Sequence, residues 1–82
     1  MSSKVITNFV IYILMEFRER LRELRKEKGV FQQDIAAIVG TTKMAVSHWE
    51  KGHSEPSIAQ LIAIAEYFGV SVDFLIGKTD YD

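Results

Sequence analysis

Apolar residues recur at helical spacing from Phe17 onward, and glycines divide the pattern into short segments. Side chains that return at i, i+3 and i+4 are typical of amphipathic helices. The pattern predicts five helices, over residues 16–28, 32–39, 43–50, 58–68 and 72–76. A glycine follows each one and supplies a left-handed stop. Short helices joined by shorter loops predict an all-α fold, a compact five-helix bundle with non-parallel crossings.

Each predicted helix carries one apolar face and, in three cases, a start signal. Thr42, Ser57 and Ser71 stand where an N-cap hydroxyl is expected. The residues that we expect to be buried are Phe17, Leu21 and Leu24 in the first helix, Ile35, Ala36, Ile38 and Val39 in the second, Val46 and Trp49 in the third, and Ile58, Leu61, Ile62, Ala65 and Phe68 in the fourth.

Residues 1–15 form an N-terminal arm with a strongly apolar run, FVIYILM, at residues 9–15. Its β-branched and aromatic residues favour a β-strand that pairs with a second copy, which is the interpretation we prefer. Helical spacing of Ile6, Val10 and Ile13 with Phe17 allows an extended first helix instead. Met15 also stands where translation of a shorter chain would begin. We divide the chain into this arm, a possible dimerisation element, a domain at residues 16–77 and a polar tail at residues 78–82.

Composition excludes several classes of protein. The 82 residues include no Cys, so disulfides and thiolate zinc sites cannot form. The apolar run is shorter than the ~20 residues of a spanning helix, which predicts no membrane association. We find no catalytic set, no metal-ligand cluster, and no sign of a cofactor or small-molecule ligand. These features predict a cytoplasmic protein that is not an enzyme. The net charge is −1, but Lys78 is the only basic residue after Lys51, whereas five acidic residues lie there, so a neutral total can hide a positive face and a negative one.

Residues 32–50 have the arrangement of a helix-turn-helix. The second and third helices flank a turn, Gly40-Thr41-Thr42, in which Gly40 tolerates the positive φ that a tight turn requires. Ala36 and Val46 stand where the two helices would touch. The third helix would then lie in the DNA major groove and contact base edges with its N-terminal residues.

Three segments carry a resemblance to a known family: LRELRKEKG at 21–29, QQDIAAIVGTTKMAVSHWEKG at 32–52, and PSIAQLIAIAEYFGVSVDFLIG at 56–77. Together they resemble the phage-repressor type (Cro/CI-type, XRE) helix-turn-helix regulators. The resemblance covers nearly the whole chain outside the arm. It implies a lambda-repressor-like five-helix fold, sequence-specific binding of double-stranded DNA, usually as a homodimer, and transcriptional regulation, which we expect to be repression.

The same resemblance implies roles for individual residues. The base-reading positions are Lys43, Met44, Ser47 and His48, and Gln32 matches a phosphate-contacting position. Apart from the resemblance, exposed N–H groups after the third helix suit a phosphate, with Lys51 or His53 adding charge. We count Thr42 among the phosphate-contacting residues as well. Arg25 and Glu50 match a family pair that joins the first and third helices. We count this pair as structural support, together with Gly40, Ala36, Val46 and Trp49.

Two departures from the family pattern affect these expectations. Phe31 stands where members often place a Ser or Thr cap, so the second helix would fray or depend on packing of Phe31. The recognition helix carries few basic residues, which predicts few phosphate contacts and a shallow dependence of binding on salt. Low positive charge and the apolar arm also keep an alternative open. The same fold would then be a protein-interaction module, antitoxin-like or binding a polymerase subunit.

Overall fold

Five α-helices follow one another along the part of the chain that the structure describes. This computed structural model describes the backbone of residues 3–78 and the side chains of residues 16–78. The helices are α1 (Ser3–Lys28), α2 (Gln32–Val39), α3 (Lys43–Lys51), α4 (Ile58–Phe68) and α5 (Val72–Leu75). The prediction of an all-α fold of five helices is confirmed for the described residues. The bounds predicted for α2 and α4 agree with the structure, and those of α3 and α5 differ by one residue at the C-terminal end.

Side-chain oxygens cap the N-termini of the last three helices, as their hydroxyl residues predicted. The Thr42 Oγ1 accepts a hydrogen bond from the Ala45 N–H at 3.1 Å. Ser57 Oγ accepts from the Gln60 N–H at 3.1 Å, and the Gln60 side chain accepts from the Ser57 N–H at 2.8 Å. The Ser71 Oγ accepts from the Phe74 N–H at 3.0 Å. These bonds satisfy backbone donors that a helix leaves open in its first turn.

The first helix is much longer than predicted, because it begins at Ser3 rather than at residue 16. The prediction that the N-terminal arm forms a β-strand is therefore wrong for residues 3–15. No Gly or Pro interrupts the chain between Ser3 and Lys28, and Ile6, Val10 and Ile13 continue the spacing of Phe17. A helix satisfies its backbone within one segment, whereas a strand needs a neighbour. Within the described residues, no helix is long and apolar enough to span a membrane.

The core is assembled from all five helices. Its buried members are Phe17, Leu21, Ile35, Ala36, Val46, Trp49, Ile64, Ala65 and Leu75. The α3 helix packs against both α1 and α2, while α4 packs against α2 and α5. The third helix therefore has its inner face covered from two sides, and its orientation depends on core packing.

Three isoleucines that we expected in the core are exposed: Ile38, Ile58 and Ile62. The stripe that α4 buries passes instead through Leu61, Ile64 and Ala65, and Ile64 was missed. At 100° per residue, Ile62 lies about 100° from Leu61 around the helix, outside this stripe. In α2, Ile38 lies on the far side of Ile35 from Ala36 and Val39 for the same reason. An apolar helix offers several possible stripes, and the neighbouring helices select one.

Candidate nucleic-acid interface

The turn between α2 and α3 sets the angle at which the third helix leaves the core. Gly40 has φ 72° and ψ 41°, a left-handed conformation that favours glycine. The N–H groups of Gly40 and Thr41 both donate to the Ala36 carbonyl, and the Thr41 bond is 2.9 Å long. Ala36 and Val46 are both buried beside this turn. The small Ala36 side chain permits the close approach of the two helices that a helix-turn-helix requires.

The Glu50 carboxylate, on the inner side of the third helix, connects α3 to both α1 and α2. Glu50 is only 4% exposed. Its Oε2 accepts from Arg25 Nε at 2.6 Å, and its Oε1 accepts from Arg25 Nη2 at 2.9 Å. The same Oε1 accepts from Gln32 Nε2 at 3.0 Å. The α1, α2 and α3 helices thus meet at a single buried carboxylate whose charge is paired.

The pairing also affects Arg25 itself. The hydrogen bonds that Arg25 donates to Glu50 raise the pKa of the Arg25 guanidinium, Coulomb attraction to Glu50 adds to this, and burial opposes it. Arg25 Nη1 donates to the Val30 carbonyl at 3.2 Å, so all three guanidinium nitrogens have protein partners. Arg25 therefore has a structural role, since it connects α1 to α3 and to the loop that precedes α2.

The outward side of α3 brings together six of the eight residues that we predicted for DNA contact. They line one shallow recess: Gln32, Lys43, Met44, Ser47, His48 and Lys51. Lys43 and Lys51 are exposed, and Met44 exposes 67% of its surface. The recess combines two lysines, one apolar side chain and three polar side chains. Such a mixture can contact phosphate oxygens, a thymine methyl group and base edges.

The other two predicted residues, Thr42 and His53, do not line this recess. Thr42 is occupied in capping α3. His53 follows the helix, its N–H donates to the His48 carbonyl at 2.8 Å, and its ring centroid lies 5.6 Å from that of His48. Its side chain lines a separate cavity with Phe17 and Trp49. The described residues gather no group of three or more side chains that would hold a metal ion.

The start of α2 differs from both outcomes that we considered for Phe31. The ring is 74% exposed, so packing does not hold the helix start. Instead the Phe31 N–H donates to Asp34 Oδ2 at 2.7 Å. A side chain in the first turn of α2 therefore satisfies the backbone donor at the start of the helix. Asp34 at the third helical position was the available sequence signal, because acidic groups stabilise a helix N-terminus. Gln32 also differs from expectation, since one of its amide hydrogens is already donated to Glu50.

Comparison with known proteins agrees with this geometry. A family model described as Helix-turn-helix matches residues 21–75. The chain belongs to this family. It is similar to the HTH-type transcriptional activator BcrR of Enterococcus faecalis, with 36% identity over 76% of this chain and 30% of BcrR. It is also similar to the SPbeta prophage-derived HTH-type regulator YonR of Bacillus subtilis, with 38% identity over 77% of this chain and 58% of YonR.

A solved structure of the same type is the P22 c2 repressor in complex with a synthetic operator. The two chains share 32% identity with a TM-score of 0.68, over 72% of this chain and 89% of that one. The resemblance to phage-repressor type regulators is therefore confirmed. The relatives are transcriptional regulators and not enzymes. This helix-turn-helix chain spans less than two thirds of BcrR and YonR.

Proposed function

We propose that this chain binds specific sequences of double-stranded DNA and regulates transcription, as a homodimer and as a repressor. The observation that carries the proposal is the recess on the outer side of α3. There Lys43, Met44 and His48 stand on a helix whose inner side is held by the core and by Glu50. A helix held in this way can enter the major groove, about 12 Å wide, with little loss of conformational freedom.

Individual roles follow from position and chemistry. Lys43 opens the recognition helix and can donate to guanine O6 and N7, while Met44 can contact a thymine methyl group. Ser47 and His48 continue the same outer side one turn later. Gln32, with one amide hydrogen left after its bond to Glu50, and Lys51 flank this surface and suit phosphate contact. Thr42 and His53 remain predicted phosphate contacts at its edge.

Dimerisation follows from the small size of the reading surface. One recognition helix with four base-reading candidates covers only a short stretch of base pairs. Two copies would read half-sites about one DNA turn apart, ~34 Å. The N-terminal arm, residues 1–15, remains the candidate dimerisation element because of the apolar run in its sequence. A cytoplasmic location accords with access to DNA.

Repression is the simpler outcome of such binding. A repressor acts by occupying DNA that polymerase requires, which needs no surface beyond the DNA interface. Among the named relatives, BcrR is an activator and P22 c2 is a repressor. We propose repression because it requires no surface beyond the DNA interface. This part of the proposal can be tested separately from DNA binding.

Selection from a random pool of duplex DNA tests the proposal most directly. We expect recovery of an inverted repeat whose half-site centres lie about 10 base pairs apart. The protein should retard the recovered duplex in a gel, and a matched duplex with one half-site scrambled should bind more weakly. Failure to enrich any sequence at low salt would contradict DNA binding. Enrichment of a single half-site without symmetry would contradict the dimer alone.

A second candidate function, a protein-interaction module, is favoured by exposed apolar side chains outside the recess. Ile58 is 77% exposed, and Ile38 and Ile62 are exposed as well. The partner of such a module would be a toxin or a polymerase subunit, and it would bind a surface outside the α3 recess. Pull-down with Lys43→Ala and Ile58→Asp variants distinguishes the two functions. Capture lost only in Ile58→Asp supports the module, and capture lost in neither variant excludes this surface.

A further inference from the structure

Three arginines lie on one face of α1 and all meet the C-terminal end of α3. Arg18, Arg22 and Arg25 are spaced by four and three residues, which places them within about 60° around the helix. Arg18 Nη1 donates to the Lys51 carbonyl at 3.2 Å. Arg22 Nη1 lies 3.5 Å from the Glu50 carbonyl. These donors offset the negative end of the α3 dipole, which would otherwise repel an anion there.

One of these guanidinium groups, that of Arg18, lies directly beside Gly52. Gly52 has φ 78°, and a Cβ atom built there would overlap Arg18 Nη1. The backbone conformation favours glycine at this point, and the end of the Arg18 side chain occupies the space beside it. Arg18 lies beside the end of α3. Most of its five N–H donors take no part in the hydrogen bonds described above.

Arg18 and Arg22 line a recess of about 310 Å³ with Lys51, Glu19 and Glu50. Glu50 is already paired with Arg25, so three cationic groups in this recess face one uncompensated carboxylate, that of Glu19. Lys51 also lines the recess on the outer side of α3. The two recesses therefore share a wall, and the positive surface continues from the recognition helix onto α1.

We propose that Arg18 and Arg22, together with Lys51, bind neighbouring backbone phosphates of the DNA duplex whose bases the α3 recess reads. Guanidinium groups present paired donors that match the oxygens of a phosphate. This inference rests on the proposed DNA-binding function and adds α1 to the interface. It also supplies positive charge that the recognition helix lacks, and so accounts for DNA binding by a chain of net charge −1.

The salt dependence of binding provides the test. Each neutralised phosphate contributes about −0.9 to the slope of log Kobs against log salt. We expect Arg18→Gln and Arg22→Gln each to make that slope shallower by ~1 per bound chain, and to weaken selected and scrambled duplexes by the same factor. Arg18→Lys and Arg22→Lys should restore the slope, because a charge suffices for counterion release. A role confined to positioning α3 would change affinity or melting temperature without changing the slope.

Arg20→Gln is the matched control on the same helix. Its guanidinium lies 4.1 Å from the centroid of the Phe74 ring on the opposite side of α1, and its loss should leave the salt slope unchanged. An unchanged slope in both Arg18→Gln and Arg22→Gln, with the wild-type chain binding DNA, would overturn this inference alone. Absence of DNA binding by the wild-type chain at low salt would overturn the proposed function instead.

Discussion

The two sides of α3 differ in almost every physical respect. The inner side buries Val46, Trp49 and Glu50, and its only charge is paired and hydrogen-bonded. The outer side exposes Met44 and Lys43 and lines an open recess. Stability therefore depends on one side, and the proposed sequence recognition depends on the other. Substitutions on the two sides should affect folding and DNA binding separately.

Trp49→Ala should cause the largest loss of stability. Trp49 is 3% exposed and belongs to the buried cluster, so its truncation removes a large apolar side chain from the core. We expect a loss of about 3–5 kcal/mol in the free energy of unfolding. Urea denaturation followed by circular dichroism measures it. Met44→Ala on the outer side is the control, and equal destabilisation by both variants would contradict the contrast between the two sides.

Glu50→Gln should have the next largest effect. The substitution keeps the shape but leaves the Arg25 guanidinium without its carboxylate partner, and we expect a loss of about 1.5–3 kcal/mol. A double-mutant cycle with Arg25→Gln should give a double variant that loses clearly less than the sum of the single losses. Strict additivity would show that the two side chains do not depend on each other.

Thr42→Ala removes the cap of α3 and should cost about 1 kcal/mol. Thr41→Ala is its neighbour control, with an expected change within about 0.5 kcal/mol, because no capping bond is lost. Thermal unfolding of both variants in one buffer compares them. A larger loss from Thr41→Ala than from Thr42→Ala would contradict the role of the cap.

Lys43→Ala and His48→Ala should have the smallest effect on stability, within about 0.5 kcal/mol of the wild-type chain. Their effect should appear in binding. Loss of one good base contact is worth about 1–3 kcal/mol of discrimination, or roughly 5- to 150-fold in the ratio of affinities for selected and scrambled duplexes. Mobility shift at one fixed salt concentration measures that ratio. If both variants keep the wild-type ratio, the outer side of α3 does not read bases.

The sequence predicted most of the fold because its signals were local. Hydroxyl residues at Thr42, Ser57 and Ser71, and a glycine after each helix, marked the boundaries within one residue for four of the helices. The strand expected in the N-terminal arm, which is helical over the described residues 3–15, was the main error. A run such as FVIYILM has no intrinsic preference strong enough to choose between helix and strand, and the helical spacing of Ile6, Val10 and Ile13 agreed with the observed α1.

The sequence predicted which residues form the candidate site but not the hydrogen bonds that connect them to the rest of the protein. Family resemblance identified the Arg25–Glu50 pair and six residues that line one recess. It did not indicate that Gln32 donates to Glu50, nor that Arg18 contacts the end of α3. These partners are 18 and 33 residues apart, and no periodicity along the chain relates such distant positions.

By itself, the sequence determined where four of the five described helices begin and end, which family the chain belongs to, and which residues stand on the outer side of α3. Tertiary structure alone decided which of several apolar stripes α4 buries, as with Ile64 in place of Ile58 and Ile62. It also decided that three helices meet at the Glu50 carboxylate and that the arginine face of α1 reaches the recognition helix. The reason is physical: caps and turns depend on neighbouring residues, whereas burial and charge pairing depend on how helices distant in the chain pack together.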